Sequence, residues 1–258
     1  MLRSGKCEPV NLDDLNSIVL KQTFRPLFAT VSGAHLYGFE SPDSDYDLRG
    51  AFVLPLDVVI GLQLDQHAET VTLNFFENDR EIDLVVHDLL KFCRLLTRKN
   101  GYVLEQLYSP FIVIGGPLLD ELRQLARGCI VKHVYYHYRG FLRNQIQLAS
   151  KSEGTVKEIL YGYRVALTGI HLLRTGAVEA HLPTLLQSIP AEGVAELIER
   201  KRAAHEKELL APALRQQHLE VLLGLEARLS EEFGLSPLPE DISGLPALND
   251  FIVRVRKA

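Results

Sequence analysis

Short apolar runs separated by closely spaced turn residues characterise the chain from residue 24 to about residue 114. Residues 26–32 are apolar and β-branched, which predicts a buried strand that ends at Gly33. A segment rich in turn formers follows at residues 38–44, and residues 46–54 resume an extended pattern. This part of the chain is therefore expected to contribute strands to a sheet.

A β-hairpin is predicted next, with its arms at residues 69–77 and 80–86 and its turn at Asn78-Asp79. The first arm is rich in β-branched and aromatic residues, and the second is aliphatic apart from its charged positions. Asp83 is flanked by apolar residues in the second arm, so a carboxylate is expected inside a strand.

Helical periodicity follows the hairpin. His87-Asp88 offers a cap for a helix at residues 89–98, and a second helix is expected at 101–108. Further helices are predicted at residues 117–127, 131–150, 155–175, 192–209, 212–233 and 247–257. The expected fold class is α+β, with a mixed β-sheet domain over residues 1–115 followed by an all-helical domain over residues 116–258.

The composition of the 258 residues narrows the possibilities. With 47% hydrophobic residues the chain can bury a substantial core, and its net charge of -5 argues against coating nucleic acid through bulk electrostatics. Three cysteines without a close pair favour neither a disulfide framework nor a thiolate zinc site. No run approaches the roughly 18 apolar residues of a membrane span. A cytoplasmic protein without a membrane partner is expected.

Three aspartates carry the candidate chemistry. Asp45 and Asp47 are two residues apart, so along a strand their carboxylates project from one face and repel each other unless a cation neutralises them. Mg²⁺ takes oxygen ligands of this kind. If the strand of Asp83 lies beside theirs, three carboxylates converge, and two metals about 3.5–4 Å apart can clamp the attacking and leaving oxygens of a phosphoryl transfer.

The order Gly33-Ala34, a ten-residue spacer, Asp45-Tyr46-Asp47 and a later Asp83 resembles the DNA polymerase β-type nucleotidyltransferase superfamily. The run SPDSDYDLRG is similar to the nucleotidyltransferases associated with RNA ligases and RNA repair. The segments NGYVLEQLY and KEILYGYRVALTGIHLLRTG extend that similarity, which covers roughly residues 28–176.

The resemblance implies a Mg²⁺-dependent enzyme that transfers a nucleoside monophosphate from a nucleoside triphosphate to an acceptor hydroxyl and releases pyrophosphate. It assigns Asp45 and Asp47 to two Mg²⁺ ions, for which Mn²⁺ can substitute, and Asp83 to the catalytic metal and the acceptor hydroxyl. Gly33 is expected to let the backbone approach the triphosphate. Residues 1–115 would form the nucleotidyltransferase domain, and the helical domain would close its cleft.

Two positions depart from the family pattern. Ala34 stands where a serine hydroxyl commonly contacts phosphate, and the loss of one neutral hydrogen bond costs roughly 0.5–1.5 kcal/mol. His35 stands where related sequences tend to carry arginine, although it is still expected near the nucleotide. Arg49 either supplies the missing charge to the phosphates or neutralises the acidic cluster.

Two helices raise further candidates. Lys157, Tyr161 and Arg164 follow helical spacing, so they share one face that either binds the nucleotide or is a solvated stripe. His133 and His137 are spaced to chelate zinc, but without an accompanying acid they are expected in a packed or partner-facing helix. Residues 196–210 are expected to form a solvated helical face.

These sequence patterns do not determine which molecule accepts the nucleotide. RNA, as a tRNA or a repair end, is the first expectation, ahead of a protein hydroxyl that receives AMP and of a small molecule such as an antibiotic. A catalytically silent nucleotide-binding or RNA-binding module is the rival from another class, and Ala34 and His35 favour it. The patterns leave open the preferred triphosphate, the oligomeric state and the role of residues 180–258.

Overall fold

The computed structural model describes residues 11–62, 68–77, 80–151, 154–203 and 208–258. These residues form two compact units. The sheet unit contains the described residues of 11–33, 45–131 and 241–258, and the helical unit contains those of 34–44 and 132–240. The residues of these two units therefore differ from those of the domains expected at 1–115 and 116–258. The predicted division into a nucleotidyltransferase domain and a helical domain near residue 115 stays a prediction.

Five strands form one mixed sheet in the sheet unit. They are β1 (Pro26–Val31), β2 (Tyr46–Phe52), β3 (Thr70–Glu77), β4 (Arg80–Asp88) and β5 (Ile112–Ile114). Their order is β3-β4-β2-β1-β5, in which β2 and β4 are parallel and the other neighbours are antiparallel. The predicted hairpin of β3 and β4 is confirmed, while its turn at residues 78–79 lies outside the described residues.

The core of this unit lies against the sheet. Leu48 on β2 and Ile82 and Leu84 on β4 are fully buried, and each such side chain contributes about 1.5–3 kcal/mol relative to exposure. The register of β1 and β2 depends on Gly50, because a Cβ there would lie 2.1 Å from the Phe28 carbonyl oxygen. The two central strands therefore pack closely enough to fix the positions of the polar side chains on their other face.

Helices flank the sheet. In the sheet unit they are α1 (Leu12–Leu20), α3 (Leu56–Ile60), α4 (Leu89–Thr97), α5 (Gly101–Tyr108), α6 (Pro117–Ala126) and α12 (Leu245–Lys257), whereas α2 (Gly33–Tyr37) belongs to the helical unit from its second residue on. The cap expected at Asp88 is confirmed, since its carboxylate accepts from the Leu90 amide at 2.9 Å. The α+β class is thereby confirmed. The sequence patterns missed α1, α2, α3 and β5, of which the last three span five residues or fewer.

The helical unit is built around one long buried helix. Its helices are α7 (Tyr135–Ala149), α8 (Val156–Thr175), α9 (Leu182–Ser188), α10 (Val194–Ala203) and α11 (Pro212–Leu235). Thr155 and Glu158 form a capping box at the start of α8, and Gly176 ends the helix with φ +72°. None of the described helices combines the length and the apolar character that a membrane crossing needs.

Some predicted helices differ in detail. The helix expected at 131–150 begins with a 3₁₀ turn, Lys132–Val134, before α7. The helix expected at 192–209 is described as α10, while residues 204–207 lie outside the described residues. The α9 helix was not anticipated.

The prediction of a solvated face over residues 196–210 is wrong for Lys201. This residue is only 1% exposed, and its ammonium donates to the Ser41 hydroxyl at 2.6 Å. The neighbouring Arg202 donates to the Gly38 carbonyl at 2.8 Å. The basic end of α10 therefore binds the turn segment that precedes Asp45 in the chain.

Candidate active site

The acidic residues meet where the start of β2 pairs with β4. Strands β2 and β4 pair in parallel with Asp47 opposite Asp83, and Asp45 lies immediately before β2. One carboxylate oxygen from each aspartate lies within 4.8 Å of the other two, and all three residues are partly exposed. The convergence predicted from the sequence is thus present in the sheet unit.

The donor set of Asp45, Asp47 and Asp83 fits a divalent cation. Two oxygens bound to one Mg²⁺ at about 2.1 Å lie up to about 4.2 Å apart, so a small inward movement of the carboxylates would seat an ion. Oxygen donors alone favour a hard ion such as Mg²⁺ or Mn²⁺ over zinc. Among the described residues, this trio is the one group of three or more potential ligands close enough to share an ion.

Arg49 lies against two of the acids. Its Nη2 donates to Asp83 Oδ2 at 2.7 Å and also to Asp47 Oδ1, while Nη1 donates to the carbonyl oxygens of Asp83 and Leu48 at 2.6 and 3.0 Å. Its Nε donates to the Tyr102 hydroxyl at 2.8 Å. These bonds engage all five N–H groups of the guanidinium. A direct bond to phosphate would have to break one of them, so the geometry favours the role as partner of the acids.

The Arg49 guanidinium stays protonated despite its burial. Its side chain is 8% exposed, and burial alone would lower the pKa of the guanidinium. Interactions with Tyr102, Asp47 and Asp83 outweigh that cost and raise the pKa above its ordinary value. Arg49 therefore offsets one of the three negative charges while leaving a net negative site for a cation.

Tyr102 is a site residue that the sequence patterns did not single out. It belongs to the first turn of α5, where the Asn100 side chain caps the helix by accepting from the Tyr102 amide at 2.9 Å. Burial raises the pKa of Tyr102, so its phenol stays protonated at neutral pH. The sequence feature that could have indicated Tyr102 is Asn-Gly-Tyr, in which a capping asparagine fixes an aromatic residue two positions later.

Gly33 leaves room for an acid. The residue has φ +61°, and a Cβ placed on it would lie 1.7 Å from Asp47 Oδ2. The amide of Ser32 also donates to the Asp47 carbonyl at 2.8 Å, which holds the two chain segments together. Glycine is therefore required here by the Asp47 carboxylate, and its expected approach to a triphosphate stays a prediction.

The remaining nucleotide candidates belong to the helical unit. Ala34 is buried and His35 is partly buried in α2. No observation tests their predicted role at the nucleotide. The methyl group of Ala34 offers no hydroxyl donor, as the sequence already indicated.

The three candidates on α8 differ in exposure. Arg164 is 3% exposed, with its guanidinium 4.0 Å from the centroid of the Tyr37 ring, so the alternative of a solvated stripe is wrong for this residue. Tyr161 packs edge-on against Tyr37 at 5.6 Å, and the Lys157 ammonium lies 5.8 Å from the Tyr161 ring centroid. The structure thus brings the three together around an aromatic cluster, in which Lys157 and Tyr161 remain partly exposed.

The two histidines of the zinc alternative are packed residues. His133 Nδ1 lies 2.9 Å from the Glu240 carbonyl oxygen, and its ring contacts Tyr136 and Phe233. Burial, with a smaller contribution from Arg164, lowers the pKa of His137 to about 4. These contacts agree with the expected packed helix.

Comparisons with known proteins match most of the chain. The model of a family described as the RNA repair pathway DNA polymerase beta family matches residues 8–254. An uncharacterized protein of Methanocaldococcus jannaschii is 32% identical over 152 residues, which cover 58% of this chain and 61% of that protein. An uncharacterized protein of Bacillus subtilis is 24% identical over 209 residues, which cover 78% of each chain.

Solved structures were also similar, among them a nucleotidyltransferase-like protein. A nucleotidyltransferase-like protein from Exiguobacterium sibiricum overlaps with 84% of this chain and 72% of its own, at 15% identity and a TM-score of 0.31. At this TM-score the overlap adds nothing to the assignment of the fold or the function.

Proposed function

Because the chain belongs to the RNA repair pathway DNA polymerase beta family, we propose that it transfers a nucleoside monophosphate from a nucleoside triphosphate to a hydroxyl group of RNA, releasing pyrophosphate. The observation that supports catalysis is the convergence of ligand atoms of Asp45, Asp47 and Asp83 within 4.8 Å of one another, where the start of β2 pairs with β4. The family's description supports RNA over the other acceptors.

The proposed reaction is an in-line displacement at the α-phosphorus. The acceptor oxygen forms a bond to this phosphorus as the bond to the α–β bridging oxygen breaks, and pyrophosphate leaves with that electron pair. Asp83 takes up the hydroxyl proton on the acceptor side and passes it to solvent. Divalent cations, when bound, neutralise the phosphate oxygens and lower the pKa of the attacking hydroxyl.

The protein residues have separate parts in this proposal. Asp45 and Asp47 would hold two Mg²⁺ ions, for which Mn²⁺ can substitute, and Asp83 would bind the catalytic one, while Arg49 holds Asp47 and Asp83 in place. Most of the rate enhancement would come from this fixed arrangement of charge, which needs little reorganisation during the reaction.

The residues proposed to bind the nucleotide either lie close to these acids in the sequence or belong to α8. Gly33, Ala34 and His35 are proposed to lie along the phosphates. Lys157 and Tyr161 are proposed to contact the phosphate and the base. Arg164 is buried against Tyr37, and its predicted contact with the nucleotide stays a prediction.

A labelling experiment tests the proposal. The protein is incubated with Mg²⁺ and each α-³²P-labelled triphosphate, together with bulk tRNA, lysate protein or buffer alone. Label is expected in RNA, with one pyrophosphate released per nucleotide transferred. Asp47→Asn and Asp83→Asn should lose roughly 10²–10³-fold in turnover, the range seen when one electrostatic group is removed from an active site.

Asp57→Asn is the matched control, since Asp57 is an exposed carboxylate of the same unit. It should retain full turnover. Label in protein or in a small molecule would move the acceptor to that class. Equal turnover of the wild type, Asp47→Asn and Asp83→Asn would refute the assignment of the acids.

Ala34 favours a second candidate, a silent nucleotide-binding or RNA-binding module, because this residue lacks the hydroxyl expected at the phosphates. Calorimetry with a nonhydrolysable triphosphate, with and without Mg²⁺, separates the two candidates. Binding that does not depend on metal, together with no labelled product for any acceptor, would establish the silent module.

A further inference from the structure

The acids of the candidate site use their two carboxylate oxygens differently. Arg49 Nη2 occupies Oδ1 of Asp47 and Oδ2 of Asp83. The other oxygen of Asp47, Oδ2, is the atom that a Cβ on Gly33 would approach to 1.7 Å. Each of the two carboxylates thus has one oxygen committed to the guanidinium and one that is not used by it.

This division depends on the orientation of the guanidinium. Rotation about the Arg49 side chain would carry Nη2 toward one acid and away from the other, because a planar fork presents its N–H groups at fixed angles. The carbonyl oxygens of Leu48 and Asp83 fix the Nη1 end. The remaining N–H, on Nε, is directed to a single acceptor.

That acceptor is the Tyr102 hydroxyl, 2.8 Å from Nε. Tyr102 is well placed to hold a fixed position, because its own amide is bound by the Asn100 cap at the start of α5. A hydrogen bond to a charged donor in a buried setting is stronger than a neutral one. The Tyr102 hydroxyl therefore holds the Nε end of the guanidinium, as the two carbonyl oxygens hold its Nη1 end.

We infer that Tyr102 is a positioning residue of the acidic site: its hydroxyl orients Arg49 so that the guanidinium binds one oxygen each of Asp47 and Asp83, which sets how these two carboxylates face divalent cations. This inference rests on the proposed metal-dependent function. It assigns a role to the Asn100–Tyr102 segment, for which the family resemblance gave none.

The test removes only the hydroxyl. Tyr102→Phe keeps the ring. The affinity for Mn²⁺ is measured from the spectrum of the free ion and is expected to fall about tenfold, which is the effect of losing one hydrogen bond to a charged group. The kcat should fall by a similar factor, while KM for the triphosphate changes by less than about twofold. A purely structural role would lower stability without this pattern.

Tyr108→Phe is the matched control. Tyr108 belongs to the same helix, is also partly buried, and donates its hydroxyl proton to the Arg123 carbonyl at 2.6 Å, away from the acids. It should bind Mn²⁺ and turn over like the wild type. If Tyr102→Phe and Tyr108→Phe bind Mn²⁺ equally well, the inference is overturned while the proposed function stands.

A double substitution tests whether Tyr102 acts through Arg49. Arg49→Lys retains the charge but removes the Nε donor, so adding Tyr102→Phe to Arg49→Lys should cause no further loss of Mn²⁺ affinity. Additive losses would overturn the inference, since Tyr102 would then act on the site by another route. Absence of Mn²⁺ binding to the wild type, with or without triphosphate, would overturn the proposed function and this inference together.

Discussion

The substitution Gly33→Ala probes the candidate site most directly. Two separate costs arise in this variant. Alanine at φ +61° pays roughly 1–2 kcal/mol for a left-handed backbone. Its Cβ would also meet Asp47 Oδ2 at 1.7 Å, whereas real contacts of this kind do not fall below 3.0 Å. The carboxylate must therefore retreat by about 1.3 Å, which is 3.0 minus 1.7.

A displacement of this size is expected to matter more for chemistry than for folding. A misplacement of about 1 Å in a catalytic group can cost on the order of 10² in rate. We therefore expect Gly33→Ala to lose at least about tenfold in Mn²⁺ affinity and roughly 10²-fold in turnover. The free energy of unfolding in urea should fall by only about 1–3 kcal/mol, because the exposed side of Asp47 lets its carboxylate move.

Gly176→Ala separates the two costs. Gly176 has φ +72° at the end of α8, and a Cβ there would meet Leu238 at 3.3 Å, a contact that a flexible side chain can relieve. This control should show the backbone cost in urea unfolding without any change in Mn²⁺ affinity. If Gly33→Ala keeps the Mn²⁺ affinity and turnover of Gly176→Ala, then the position of the Asp47 carboxylate does not govern metal binding, and the reasoning fails.

Two further predictions concern stability. Asp88 and Arg256 form a buried ion pair with side chains 3% and 5% exposed, and Asp88 also caps α4, so Asp88→Ala should cost about 3–5 kcal/mol in urea unfolding by stranding the guanidinium and removing the cap; a cost below about 1 kcal/mol would contradict the structural role of Asp88. The folded-state pKa of His137 is lowered to about 4, below its unfolded value near 6.5, so the unfolded chain binds the extra proton and stability is lost as pH falls from about 6.5 to 4. His137→Gln should flatten the profile of unfolding free energy against pH in this window relative to the wild type, and an unchanged slope would contradict the assignment to His137.

The sequence predicted those parts of the fold that local patterns determine. Strand β2 alternates polar Asp47 and Arg49 with buried Leu48, and the capped helices α4 and α5 were placed to within a residue. Strand β5 has only three residues, which is too short for any period to be detected. Its place in the sheet depends on pairing with β1, a contact between distant parts of the chain.

The site shows the same division. The acids were identifiable because carboxylates at a fixed spacing and a lone acid in an apolar strand are unusual in a sequence. The partners of these acids were not identifiable, since the bond between Arg49 and Tyr102 joins residues 53 positions apart. Lys201 was misjudged for the same reason: its charge predicts exposure, and only the tertiary contact with Ser41 explains its burial.

The Asp47 carboxylate is constrained from two sides, and this explains why the motif needs residues outside the acidic pair. Arg49 holds Oδ1 from the same strand, and Gly33 admits Oδ2 by lacking a side chain. Arg49 exerts an attractive constraint and Gly33 a steric one, so they fail differently: a change at Arg49 frees the carboxylate to rotate, and a change at Gly33 expels it. If both act on one carboxylate position, the Mn²⁺ affinity losses of Gly33→Ala and Arg49→Lys should be less than additive when combined. Fully additive losses would mean that the two residues govern separate features of the site.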